Sequence, residues 1–208
     1  MLEARDVTFG YPGKEPVLHG FSLAVEPGER VAVAAPSGGG KTTLCRLLAG
    51  YEQPQAGQVL ADGAPLPRRG PCPVQMIGQH PELMLDPRMT MGASLAEAVG
   101  GKAAPGTAAD AALDELRCRF SIRQEWLSRY PRELSGGELQ RFCIVRALAA
   151  KPRYLVADEA TTMLDALTQA QLWHEMLVEA EQRDLGIVLT THSPALAARI
   201  ATRVVELP

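Results

Sequence analysis

Aromatic residues are scarce, at 5% of 208 residues, and the longest apolar runs, such as Val31–Ala35 and Tyr154–Ala157, are strand-sized. A membrane-spanning helix needs ~20 apolar residues, so the chain is not expected to cross a bilayer by itself. An excess of one charge is also missing. Twenty-one Lys and Arg against 24 Asp and Glu leave a net charge of −3, which gives no basic footprint for nucleic acid, and no nucleic-acid partner is expected. Cys45, Cys72, Cys118 and Cys143 form no CxxC pair; that argues against a zinc site or a disulfide framework and reads them as reduced thiols. Met1-Leu2-Glu3-Ala4-Arg5-Asp6 lacks the basic and then apolar pattern of a secretory leader, so export is not expected. What is present is an ordinary globular balance, 46% apolar and 22% charged, which favours one compact unit with a substantial core.

The first sixty residues read as short strands, Arg5–Phe9, Phe21–Val25 and Arg30–Ala34, with Glu26-Pro27-Gly28-Glu29 as a turn. A helical pattern over Lys41–Ala49 follows, then an edge strand Gln58–Ala61. Prolines at 65, 67, 71 and 73 predict a loop before the apolar strand Val74–Gly78. From about residue 85 to 150 helical patterns dominate. Gly100–Gly106 interrupts them as a flexible connection, and Thr107-Ala-Ala-Asp110 matches a capping box for a helix reaching Phe120. After Lys151-Pro152 the chain alternates: strand Tyr154–Ala157, helix Ala166–Arg183, strand Gly186–Thr190, a short helix from Pro194 and strand Val204–Leu207. Such alternation implies a mainly parallel sheet with helices packed on it. A helical insert thus splits an α/β core.

Ala35-Pro-Ser37-Gly38-Gly39-Gly40-Lys41-Thr42-Thr43 follows an apolar strand and precedes a helix, the context a phosphate-binding loop requires. The glycines let backbone N–H groups converge on phosphate oxygens, and the helix adds its positive N-terminus. Lys41 is expected to reach the β- and γ-phosphates of ATP, and the Thr42 hydroxyl to supply an oxygen to Mg²⁺. Ala35 stands where the motif usually has its first glycine; alanine is small, and tolerance is expected. Further on, Tyr154-Leu-Val-Ala-Asp158-Glu159 is an apolar strand ending in two carboxylates, whose side chains the strand period would point in opposite directions at the sheet's C-terminal edge.

Leu134-Ser135-Gly136-Gly137-Glu138-Leu139-Gln140-Arg141 resembles the LSGGQ-type signature of ABC (ATP-binding cassette) ATPases. Ser135 and Glu138 have capping-box spacing, and Gly136 and Gly137 bare the N–H groups at the start of a helix running to Ala150. The resemblance covers Tyr11 to His192, with the nucleotide motifs in family order. It implies a P-loop NTPase (RecA-like) α/β core with an N-terminal antiparallel β subdomain and an inserted α-helical signature subdomain. Residues 1–208 would form one ATPase domain, with 1–84 and 151–208 as nucleotide-binding core and 85–150 as helical subdomain.

The same resemblance implies roles for single residues. Asp158 would hold Mg²⁺ and Glu159 would polarise the attacking water as general base. His192, in Thr190-Thr191-His192-Ser193, would contact the γ-phosphate; Gln79 would approach Mg²⁺ or the attacking water; Tyr11 would stack on adenine. Ser135, Gly136, Gly137 and Glu138 would meet the ATP of an opposite, head-to-tail cassette. Asp165 matches the D-loop, usually SALD, from which Thr162 and Met163 depart. Gln79-His-Pro-Glu-Leu, Leu85-Asp-Pro-Arg-Met-Thr and Thr161-Thr-Met-Leu-Asp-Ala-Leu-Thr-Gln-Ala-Gln171 resemble the peptide/nickel importer group. Its members imply a second ABC ATPase subunit, integral membrane permease subunits, a solute-binding protein acting through them, and a peripheral position on the cytoplasmic face of the cell membrane. Met76, Met84, Met89, Met91 and His80 are read as packing or a permease contact, not as a nickel site. A non-transport ABC ATPase and a regulatory cassette with weak hydrolysis remain the alternatives.

Overall fold

The computed structural model describes residues 1–13, 15–101 and 107–207. Of the expected connection Gly100–Gly106, residues 102–106 lie outside the described residues. Nine strands are described: β1 (Leu2–Phe9), β2 (Leu18–Val25), β3 (Arg30–Ala34), β4 (Ala56–Ala61), β5 (Ala64–Pro65), β6 (Val74–Ile77), β7 (Tyr154–Asp158), β8 (Gly186–Thr190) and β9 (Arg203–Glu206). The helices are α1 (Lys41–Leu48), α2 (Met91–Ala98), α3 (Ala108–Arg119), α4 (Gly136–Ala149), α5 (Ala166–Arg183) and α6 (Pro194–Ile200). They gather into two compact units: Met1–Met76 with Pro152–Glu159 and Ala180–Pro208, and Ile77–Lys151 with Ala160–Glu179.

In the first unit an antiparallel sheet runs in the order β2-β1-β4-β5. Strand β1 starts at Leu2 and not at Arg5, and β2 starts at Leu18, because Leu2, Ala4 and Leu18 are buried in the core and pair across the sheet, Leu2 with Val25 and Leu18 with Phe9. A register shift between Ala4 and Val7, with Asp6 at φ 49, breaks the alternation that would have revealed the full strand. Gly57 in β4 (φ 79) lies against this bulge: a Cβ there would sit 2.3 Å from the Arg5 carbonyl oxygen. Glycine is required at that point, and β4 consequently begins two residues before the expected Gln58. Ala64 and Pro65 pair with Ala61 and Leu60, so the expected loop starts later than Pro65. A proline is tolerated there because an edge strand does not need its N–H.

The second sheet runs β6-β7-β8-β3-β9. The β7/β8, β8/β3 and β3/β9 pairs are parallel, with Asp158 opposite Thr190 and Val33 opposite Thr190. Every residue of β7 and β8 is buried, which is why both read as continuous apolar runs without alternation. Leu44, Cys45, Leu47 and Leu48 of α1 join Leu2, Val25, Val33, Val156 and Val188 in one core, with Met76 packed against it. The Tyr154 hydroxyl donates to Asp62 Oδ1 at 2.9 Å. Burial, reinforced by that carboxylate, pushes its phenol up to about 12.

The second unit is helical, built from α2, α3, α4, most of α5 and three 3-10 turns. Thr107 Oγ1 caps α3 by accepting from the Asp110 N–H at 3.2 Å, as the sequence predicts. Met91, Leu95, Phe120, Trp126, Phe142 and Ile144 are buried in this unit, with the Trp126 and Phe142 rings 6.5 Å apart. Arg119 of α3 pairs with Glu175 (2.9 Å) and with Glu179 on α5.

Candidate functional site

The expected site residues fall into two groups, one in each unit. In the first unit β3 delivers the chain into the loop Ala35–Gly40, which turns directly into α1. Gly40 closes the loop in the left-handed region (φ 88) as the N-cap of α1, a conformation that costs other residues about 1–2 kcal/mol. The Ala35 Cβ is part of the loop's packing: a Cβ on Gly39 would lie 3.0 Å from it and 3.0 Å from the Pro36 carbonyl oxygen. Lys41 is 6% exposed. Its Nζ donates to the carbonyl oxygens of Ala35 (2.8 Å) and Pro36 (3.1 Å), and among the described residues no carboxylate pairs with it. A buried cation resting on two neutral carbonyls is a site that fits an anion.

The two threonines after Lys41 separate. Thr42 is exposed at the helix start, whereas Thr43 is buried and its hydroxyl lies 3.3 Å from the Tyr11 hydroxyl. Tyr11 stands edge-on to Phe9, with ring centroids 5.2 Å apart and planes at 88°.

Asp158 ends β7, and Glu159 follows with φ 50. The strand period therefore stops at Asp158. The expected opposition of the two side chains by alternation does not apply, because Glu159 sits in the left-handed region beyond the strand. Nor are they surface acids: Asp158 is 3% and Glu159 9% exposed. Thr190 Oγ1 donates to Asp158 Oδ1 at 2.8 Å and accepts from the Glu159 N–H at 3.0 Å. The same N–H reaches the Thr190 carbonyl oxygen at 3.2 Å. Glu159 Oε1 lies 2.7 Å from His192 Nε2, and the His192 side chain is 57% exposed. Cys45 of α1 is completely buried beside these groups. Burial pushes its thiol well above the ordinary range, Asp158 and Glu159 push it further, and Lys41 opposes them. One buried thiol thus registers Lys41, Asp158 and Glu159 together. Asp158 forms no ion pair with a basic side chain among the described residues, so its carboxylate, with the Thr42 hydroxyl, offers the hard oxygen donors that Mg²⁺ takes.

In the second unit Ser135 caps α4. Its hydroxyl accepts from the Glu138 N–H (3.4 Å), and Glu138 Oε2 accepts from the Ser135 N–H (2.7 Å) and hydroxyl (2.8 Å). The Ser135 N–H holds the Glu138 carboxyl below the usual carboxylate range, aided by Arg129 and Arg123. Space is open where a Cβ of Gly136 would stand: beyond its chain neighbours and the backbone of its own helix turn, no atom of the described residues lies within 4 Å. Gln79, Gly136, Gln140, Met163 and Leu164 line one cavity of about 220 Å³. Asp165 spends its carboxylate on a helix end: Oδ1 accepts from the Leu167 (3.1 Å) and Thr168 (3.0 Å) N–H groups at the start of α5.

Two residues escaped sequence reasoning. Thr190 looks like the last residue of an apolar strand, and only the parallel register with β7 places its hydroxyl beside Asp158. Thr161 is 2% exposed; its Oγ1 accepts from Trp173 Nε1 (2.9 Å) and Gln169 Nε2 (3.0 Å), tying the 160–165 loop to α5. Gln169 and Trp173 at i and i+4 on one helix were the available signal.

Residues 18–162 match the family model described as ABC transporter. The nickel import system ATP-binding protein NikE of Staphylococcus aureus (strain bovine RF122 / ET3-1) is 33% identical over 210 residues, covering 100% of this chain and 86% of that protein. Its counterpart in strain MSSA476 is 32% identical with the same coverage. Among solved structures, an ATP-binding subunit of an ABC transporter shares a TM-score of 0.86 at 28% identity, covering 100% of this chain and 85% of that one. A dimeric ATP-binding cassette in a post-hydrolysis state bound to ADP and Pi gives 0.85 at 25% identity, covering 100% and 94%. A family match across most of the sequence, joined by relatives aligned along its whole length, leads to one conclusion: the chain belongs to the ABC transporter family, as one of its ATP-binding ATPase subunits.

Proposed function

We propose that this chain is the ATP-hydrolysing subunit of an ABC importer that takes up peptides, nickel or related metal chelates through partner membrane subunits. The observation that carries the chemistry is that a buried, anion-seeking Lys41 and the buried carboxylates of Asp158 and Glu159, with which it forms no ion pair among the described residues, stand around the same buried Cys45 in one compact unit. The NikE relatives, matched along the whole chain, favour the importer reading and, among the proposed cargoes, nickel. The solute is selected by the other subunits. The chain works as a single ATPase domain, with 85–150 as its helical subdomain, peripheral to the cytoplasmic face of the membrane.

Each residue then has a distinct task. The N–H groups of Ser37–Thr43 and the N-terminus of α1 receive the phosphates of ATP. Lys41 exchanges its carbonyl partners for phosphate oxygens, and Tyr11 offers its ring to adenine. Thr42 and Asp158 would hold Mg²⁺, with Gln79 as the further ligand that the family resemblance implies, and the ion would supply neutralisation of phosphate charge. Glu159 takes the proton of the attacking water, and His192, already 2.7 Å from Glu159, orients that carboxylate and meets the γ-phosphate. Ser135, Gly136, Gly137 and Glu138 present a second helix N-terminus to the ATP of a partner cassette, with Asp165 shaping the adjoining loop. ATP binding would close two cassettes on each other, and phosphate release would reopen them.

The test is isolation of the tagged chain from native membranes. The expected assembly contains a second ATPase and membrane permease subunits, turns over MgATP, and loses at least about a hundredfold in turnover with Glu159→Gln while retaining ATP binding. An ATPase that copurifies without any membrane subunit would refute the transport role. Undiminished hydrolysis in the Glu159→Gln assembly would refute the role given to Glu159.

A further inference from the structure

The end of β8 carries a hydroxyl that the mechanism above leaves unused. Thr190 is 2% exposed and lies between two strands, opposite Asp158 of β7 and Val33 of β3. Its Oγ1 donates its single proton to Asp158 Oδ1 at 2.8 Å and accepts the Glu159 N–H at 3.0 Å. One buried hydroxyl therefore bridges the side chain of one carboxylate residue and the main chain of the next. No residue of purely apolar character could do both, although the other residues of β8, Gly186, Ile187, Val188 and Leu189, are all apolar.

We propose that Thr190 is a positioning residue for ATP hydrolysis, setting the orientation of the Asp158 carboxylate and the backbone turn that aims Glu159. The proposal rests on the roles given above to Asp158 and Glu159. A carboxylate on a strand end can rotate about its Cβ–Cγ bond. The donated bond at Oδ1 restrains that rotation and so sets how the carboxylate is presented to a cation. The accepted bond acts on a different coordinate. Glu159 stands at φ 50, a conformation that costs a non-glycine residue about 1–2 kcal/mol and persists only where its surroundings hold it. Its N–H is shared between the Thr190 hydroxyl and the Thr190 carbonyl oxygen, so both acceptors that pin the turn belong to one residue. From that turn the Glu159 carboxylate reaches His192 at 2.7 Å. Small errors in such an arrangement are costly in rate, because the proton acceptor must meet the attacking water within about 3 Å.

The experiment compares Thr190→Val, which keeps the volume and removes the hydroxyl, with Thr190→Ser, which keeps the hydroxyl, in the assembled ATPase with its partner subunits. Glu159→Gln is measured beside them. For T190V the expected result is a fall in kcat of about tenfold, a severalfold rise in the Mg²⁺ concentration for half-maximal turnover, and a KM for ATP within about twofold of the parent. T190S should recover kcat to within about threefold, since the same two hydrogen bonds can form. If T190V does not fold, Thr190→Cys gives the same comparison with a weak donor of similar size. Unchanged kcat and Mg²⁺ dependence in T190V, with E159Q inactive, would overturn the positioning role and leave the site reading intact. Equal losses in T190V and T190S would overturn it too, by showing that packing and not the hydroxyl matters. Full activity in E159Q would overturn both, because the group that Thr190 is said to aim would not be the base.

Discussion

Glu138 places a negative charge at the helix end that is proposed to receive a phosphate. The carboxylate is ionised at neutral pH, since the Ser135 N–H and the nearby Arg129 and Arg123 hold its pKa below the ordinary glutamate range. Changing Glu138 to Gln removes the charge and keeps an oxygen that can accept from the Ser135 N–H, so the reciprocal cap survives. Two effects of opposite sign follow. The fold loses the attraction between the carboxylate and the positive end of α4, about 0.3–1 kcal/mol at a partly exposed site. Binding of a phosphate to the same N–H groups gains the repulsion that has been removed. At about 4 Å in a water-like medium that is about 1 kcal/mol per unit charge, or about fivefold in affinity.

The assay is nucleotide-driven dimerisation in the non-hydrolysing Glu159→Gln background, followed by light scattering with and without Glu138→Gln. The double variant should dimerise at an ATP concentration about fivefold lower, and the difference should shrink as salt is raised. Acid titration gives an independent check. A carboxylate whose folded pKa is depressed contributes stability that is present above its unfolded pKa and is lost as pH falls through the folded one. The unfolding temperatures of parent and Glu138→Gln chains should therefore converge below the ordinary glutamate range. Weaker or unaltered dimerisation in the double variant would refute the placement of phosphate at this helix end.

Gly136→Ala adds a Cβ into open space, so thermal unfolding should show a midpoint unchanged or raised by the equivalent of about 0.5–1 kcal/mol, whereas ATP turnover in the assembly should fall at least about tenfold if that space receives the partner's nucleotide. Tyr154→Phe removes the 2.9 Å bond to Asp62 and should cost about 1.5 kcal/mol in denaturant unfolding. It should also flatten an alkaline transition. The phenol is pushed up to about 12, so the fold retains a proton that the unfolded chain releases, and stability present below the ordinary tyrosine range is lost as pH rises toward that value.

The local form of the phosphate loop and of the α4 cap was legible because their residues are contiguous. Ala35–Thr43 and Ser135–Glu138 each carry their geometry in a short segment, and the elements around them, β3, α1, α4 and α5, start within a residue of where pattern and caps place them. Failures occurred where the deciding contact is distant in sequence. The early start of β1 depends on pairing with Ala61 of β4 and on a bulge that Gly57 accommodates. The turn at Glu159 was hidden because nothing in Asp158-Glu159 announces a positive φ, and the acceptors that hold it lie on β8. Asp165 shows the converse: its motif position is clear, while its hydrogen bonds to Leu167 and Thr168 are those of an ordinary helix cap.

The order of the parallel sheet has a thermodynamic consequence. β3, which leads into Lys41, lies between β8 and β9, strands from the far end of the chain, and β7 and β8 bring Asp158 and His192 to the same edge. Loop closure over such separations comes late in folding. ATP is then a ligand of the finished sheet alone, and mass action makes it a stabiliser: at a concentration one hundred times its Kd it adds about 2.7 kcal/mol to the folded state. Nucleotide thereby both fuels the subunit and shifts its population away from partly folded chains.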